Sequence, residues 1–106
     1  MENPWRGEVT LSVDGAPCVM RLTLGALAGL EAELGEHSLL SLIERFETRQ
    51  FSASDVIAVL KAGLTGSGHG DVAVRIASAS IDGGPVVAAQ AAAQVLVRAF
   101  APDGGA

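Results

Sequence analysis

The most constraining feature of this chain is a change of period near residue 22. Before it, in "GEVTLSVDGAPCVMRL", apolar residues recur at every second position. After it, in "TLGALAGLEAELG", they recur every third or fourth. Alternation marks a half-buried strand, and spacing near 3.6 marks an amphipathic helix. A chain that makes this switch once, early, folds as a β-hairpin followed by helices. That is an α+β domain.

The hairpin can be registered from its turn. Asp14-Gly15 tolerates positive φ at both positions, the requirement of a two-residue turn. Counting back pairs Val13 with Ala16, Leu11 with Cys18 and Val9 with Met20, all on one face. The same register sets Glu8 opposite Arg21 as a cross-strand ion pair. It also puts Pro17 at a position without a ladder hydrogen bond, where its missing N–H costs little. The outer edges of such a hairpin stay open, so strand addition is a second possible mode of contact.

The helical part is punctuated by caps. Thr23 reads as an N-cap, with Leu24, Leu27, Leu30 or Glu31, and Leu34 in helical phase and Gly35 as the stop. An isolated two-stranded hairpin is barely stable. The expectation is that this helix covers the hairpin's inner face with Leu24, Leu27 and Leu34. A second helix begins near Ser38 and carries Leu39, Leu42, Ile43 and Phe46. "SASD", Ser52 to Asp55, is a capping box with Asp in place of Glu, opening a third helix through Val56, Ile57, Leu60 and Leu64. "GLTGSGHG" carries four glycines and is expected to break the chain as its most mobile internal segment. Residues 71–81 predict a short helix, although "DVAVRI" also fits a strand. Pro85 suits the first turn of a last helix that runs to about Phe100.

One domain over 1–106 is expected: a hairpin at 7–22, three helices in 23–66, a short helix and the last helix in 67–101, and a frayed tail at 102–106. The helices should pack as a small bundle.

Composition removes several functions. Net charge is −5 and the seven Lys and Arg are scattered, so there is no basic patch for nucleic acid or an anionic membrane. Aromatics make up 4%, too few for a stacking platform. No apolar run is long enough to span a bilayer, and the N-terminus has no secretion-signal pattern. The lone Cys18 allows no internal disulfide and fits a reducing cytoplasm.

Candidate chemistry is sparse. "GSGHGD" has the glycines of a phosphate loop, but no Lys, and it ends on an acid. It reads as a linker. His37 and His69 are not at metal-ligand spacing, and His69 with Asp71 is at most half a site. Cys18 lies on the inner hairpin face with no basic neighbour to lower its pKa. Glu31, Glu33 and Glu36, and the mixed charges Glu44, Arg45, Glu47 and Arg49, read as solvated helix faces. No catalytic residue, metal, cofactor or small-molecule substrate is implied.

The last helix is different. "PVVAAQAAAQVLVRAF" is apolar on most sides, with Gln90 and Gln94 one turn apart. A helix of this kind is buried either in its own core or in a partner. The pattern leaves both readings open. Val87, Ala91, Val95 and Leu96 are its candidate contact residues.

The order "RGEV…DG", then "LTLGALAGLEAELG", then "D-x-x-x-V-L-x-x-G-L-x-G-x-G" resembles the small tail-assembly proteins of alphaproteobacterial gene transfer agents. These are phage-derived particles that package host DNA. Their family is grouped with phage tail assembly chaperones and is also labelled a tail tube protein. The resemblance covers roughly residues 3–68, with the C-terminal part matching only in outline. It implies first a non-enzymatic tail assembly chaperone that binds the tape measure protein and the tail tube protein, with a structural tail tube or other virion component as the alternative and a homo-oligomer as a further option. It would be cytoplasmic as a chaperone, or virion-associated as a structural component.

Overall fold

In the computed structural model, which describes residue 3, residues 6–35 and residues 38–100, strands β1 (Val9–Val13) and β2 (Ala16–Met20) form an antiparallel hairpin. Helices α1 (Leu24–Leu34), α2 (Leu39–Glu47), α3 (Ala53–Gly66), α4 (Gly70–Ala73) and α5 (Gly84–Phe100) follow. A 3-10 turn over Ile76–Ser78 links the last two. The protein is α+β.

The hairpin has the expected register: Val13 faces Ala16, Leu11 faces Cys18 and Val9 faces Met20. Asp14 and Gly15 both take positive φ, 51° and 82°, which closes the turn in the sense that matches strand twist. Val9, Leu11, Val13, Cys18 and Met20 are buried, while Ala16, beside the turn, stays exposed. Glu8 does not pair with Arg21. Its carboxylate instead accepts from the Asn3 N–H at 2.8 Å and lies 3.9 Å from Arg6. The Arg21 N–H is drawn to the Gly63 carbonyl at 2.9 Å, so the chain leaves the ladder at that residue.

Each helix start follows its local chemistry. The Thr23 hydroxyl accepts the Ala26 N–H, and the Ser38 hydroxyl accepts the Ser41 N–H. Ser52 and Asp55 form a reciprocal capping box, with distances of 3.0 and 3.1 Å. Gly35 ends α1 with a φ of 66°.

Packing departs from expectation in one important respect. The inner face of the hairpin is covered mainly by α3 and α5, and α1 packs on α3 instead. Leu24, at 87% exposed, points to solvent, because it lies off the stripe formed by Ala26, Leu27, Leu30 and Leu34. Helix α3 is the centre of the molecule, touching β2, α1, α4, the 3-10 turn and α5. Val59, Leu60 and Leu64 are buried there with Leu11, Met20, Leu30, Leu42 and Val95.

This central position explains two glycines. A Cβ on Gly63 would lie 3.1 Å from the Met20 Cβ. A Cβ on Gly66 would overlap the Arg21 carbonyl oxygen and come within 3.2 Å of the Ala26 Cβ. "GLTGSGHG" is therefore not a break through its length. Its first half is the last turn of α3, where absent side chains let helix backbone touch strand backbone. Only Ser67 to His69 is loop, and its Ser67 hydroxyl donates to the Val19 carbonyl.

Residues 71–81 form neither one helix nor a strand. They comprise most of α4, the 3-10 turn and a single antiparallel bridge from Ile81 to Val13.

Candidate interaction surface

Two ion pairs that could suggest chemistry are structural. Asp55 is buried at the start of α3, where Arg45 from α2 grips both carboxylate oxygens at 2.9 Å. The Arg45 hydrogen bonds hold the Asp55 carboxyl below its ordinary range, and the Ser52 N–H adds to this against burial. Arg45 was expected on a solvated face. It is instead a clamp between α2 and α3, joined by the Phe46–Phe51 ring stack at 4.7 Å. The local pattern of mixed charge could not show this, because the partner lies ten residues away across a turn.

The second pair is at the hairpin turn. The Asp14 carboxylate accepts the Ser80 N–H at 2.8 Å and pairs with Arg75. Its pKa is lowered, first by the Ser80 hydrogen bond. With the Asp14 N–H donating to the Ser80 carbonyl and the Asp82 N–H to the Ser12 carbonyl, these contacts bolt residues 80–82 along β1. On the other edge, the Val19 carbonyl and the Arg21 N–H are taken up by α3 and the loop after it. At the far end of β1 the Glu8 carbonyl accepts from Arg98. The hairpin edges expected to be open for strand addition are largely engaged inside the domain.

Two recesses are mainly apolar. One groove of about 410 Å³ lies between α3, residues 76–81 and the start of α5, with Phe51, Val56, Leu60, Ile76, Ile81 and Ala88 in its wall. No ionisable side chain lines it. Another, of about 320 Å³, lies between α2 and the end of α5, formed by Ile43, Phe46, Leu96, Val97 and Phe100 with Glu47 at its margin. Pockets for small substrates carry convergent polar groups that fix orientation, and these grooves carry almost none. Among the described residues no group of three or more His, Cys, Asp or Glu could hold a metal ion. His37 and Glu36 lie outside the described residues. His69 precedes α4, and Glu33 pairs with Lys61 at 3.4 Å. Among the described residues no helix is long and apolar enough to cross a membrane.

Helix α5 decides where contact can occur. Of the four candidate residues, Ala91, Val95 and Leu96 are in the core, Val95 completely so at 0% exposed. They can reach a partner only if the domain opens. Val87 is at the surface, 36% exposed. The accessible apolar residues of this helix are Val86, Val97 and Phe100, which were not singled out from the sequence. Gln90 and Gln94 were the signal for the right face, since both are exposed and share a stripe with Val97.

The fold and surface define a small α+β domain that presents apolar grooves between its helices. A family model described as "Phage tail tube protein, GTA-gp10" matches residues 6–102, and the chain belongs to that family. It is a protein of phage or gene-transfer-agent tails. No curated protein and no solved structure matches it.

Proposed function

We propose that this protein acts in tail assembly by contact with other tail proteins, without catalysis, and that it is a component of the tail tube. The observation that carries this reading is the match of nearly the whole chain to a family described as a tail tube protein. The chemistry agrees with it. Among the described residues the two carboxylates whose pKa values are shifted, Asp14 and Asp55, are both lowered and both held by structural partners. A general acid or base needs the opposite, a pKa brought toward neutrality. The test is to purify particles and quantify the chain by mass spectrometry. A tube component is present in many copies and assembles into rings or tubes when concentrated alone. Absence from purified particles refutes the tube reading.

One observation favours a second reading, a chaperone for the tape measure protein. The hairpin edges are engaged, which leaves apolar recesses between helices as the available surface. Such recesses suit a long apolar helix that must be kept soluble until the tube forms around it. Under this reading the protein stays in the cytoplasm and leaves no trace in the finished particle. Co-expression with the longest tail protein encoded nearby separates the two. A chaperone raises the soluble yield of that protein and co-purifies with it, and a tube component does neither.

A further inference from the structure

The described residues include two Asp-Gly pairs, Asp14-Gly15 and Asp82-Gly83. Such a pair can rearrange without an enzyme. The Gly nitrogen attacks the carboxyl carbon of the Asp side chain, and glycine, having no Cβ, leaves that approach open. Two things hold the reaction back: partners that fix the carboxylate, and partners that fix the peptide that has to rotate. The fold treats the two pairs oppositely.

Asp14 is fixed in both ways. One carboxylate oxygen accepts the Ser80 N–H at 2.8 Å, and the other pairs with Arg75. The Asp14 N–H donates to the Ser80 carbonyl at 2.7 Å, and the turn is closed by the Val13–Ala16 pair. The Ser80 hydrogen bond, with Arg75 beside it, holds the carboxyl below its ordinary range, and an ionised carboxylate is a poor electrophile.

Asp82 is exposed, and among the described residues its carboxylate has no hydrogen-bond or ion-pair partner. It is the second residue of a tight turn that the Gly84 N–H closes on the Ile81 carbonyl at 2.9 Å, with Gly83 third at a φ of 90°. The Asp82–Gly83 peptide is the middle one of that turn. Among the described residues neither its C=O nor its N–H is hydrogen-bonded, so it rotates without breaking the bond that closes the turn. The Asp82 N–H, on the Ser12 carbonyl at 3.1 Å, holds only the preceding peptide.

We propose that Asp82 is a site of spontaneous isomerisation to isoaspartate, and that the fold protects Asp14 from the same reaction. The Gly83 nitrogen bonds to the Asp82 Cγ, and the side-chain hydroxyl leaves as water with the Gly83 proton, giving a cyclic imide. Water then adds at the former backbone carbonyl and breaks its bond to nitrogen. The main chain now runs through the Asp82 Cβ and Cγ, and the former carbonyl is a free carboxylate. One water is lost and one is gained, and nothing is oxidised or reduced. The added backbone methylene falls between the Ile81–Val13 bridge and the first turn of α5. Residues 80–82 then lose their fixed spacing along β1, and the Ser12 carbonyl and Asp14 N–H on its outer edge are released.

The test is to age the purified full chain in neutral buffer, with a parallel sample in concentrated urea, and to map isoaspartate peptide by peptide. In the folded chain it should accumulate at residue 82 at least about tenfold faster than at residue 14, the effect on a rate of one hydrogen bond to a charged group. In urea the two rates should converge. Equal rates in the folded chain, or a faster rate at 14, overturn the proposal. So does a difference that persists in urea, since neighbouring sequence and not the fold would then set it. Asp82→Glu, at an exposed position, needs a larger ring and should stay intact. Ageing should quicken amide exchange at Asp14 in the wild type and not in D82E. Equal quickening in both overturns the link to the β1 edge.

Discussion

Replacing Gly66 with alanine should destabilise this protein, and the same replacement at Gly29 should stabilise it. Both glycines lie in helices, Gly29 in α1 and Gly66 at the end of α3. In a helix interior alanine is favoured over glycine by up to about 1 kcal/mol. At Gly29 nothing lies within 4 Å of the added Cβ, so that gain is realised. At Gly66 the Cβ overlaps the backbone oxygen of Arg21, which cannot rotate away, and presses on the Ala26 Cβ at 3.2 Å. Relief requires α3 to separate from the end of β2 and from α1 together. Overpacking of this kind costs about 1–3 kcal/mol or more. The separation also strains the Arg21–Gly63 hydrogen bond at 2.9 Å, worth about 1 kcal/mol. After the propensity gain, the net loss is about 2 kcal/mol. For a domain of this size each kcal/mol moves Tm by about 4–8 °C. Gly66→Ala should therefore melt about 10 °C lower than wild type, and Gly29→Ala a few degrees higher. Thermal and urea unfolding followed by circular dichroism measure both. Equal shifts in the same direction would refute the claim that the end of α3 is packed backbone and not loop.

The remaining predictions concern the clamps and the last helix. Asp55 has a lowered folded-state pKa, so its contribution is present above the ordinary carboxylate pKa and is lost as pH falls through the folded value. Urea midpoints should drop below about pH 4, and Asp55→Asn should flatten that dependence while costing about 2–4 kcal/mol at pH 7. Asp14→Ala removes the acceptor for the Ser80 N–H, so amide exchange at Ser80 and Asp82 should quicken while exchange at Leu11 and Cys18 stays slow. Val95→Asp puts a charge at a fully buried position and should abolish folding, since burying an unpaired charge costs more than a small domain's stability. Val97→Asp, at a position 67% exposed, should change stability by less than about 0.5 kcal/mol, read from the same urea curves.

Local chemistry was legible in this sequence because it is settled within a few residues. The Asp14-Gly15 turn dictates the register from Val9–Met20 to Val13–Ala16, since a two-residue loop with positive φ permits one pairing. Thr23, Ser38 and the Ser52–Asp55 box each start a helix where an unpaired N–H needs an acceptor. Long-range choices were not legible. Nothing in "TLGALAGLEAELG" says that its helix will pack on α3 and leave the hairpin to α3 and α5. Nothing near Arg45 says that it will grip a buried carboxylate. Glycines in "GLTGSGHG" look the same whether they free a loop or admit a neighbouring backbone. The phase of α5 was the costliest ambiguity, because two apolar seams share one helix. Only packing decided that Val95 and Leu96 face in and that Gln90, Gln94 and Val97 face out. Periodicity determines how wide an apolar stripe is. Which stripe is buried depends on the elements that arrive from elsewhere in the chain, and those contacts exist only in the folded molecule.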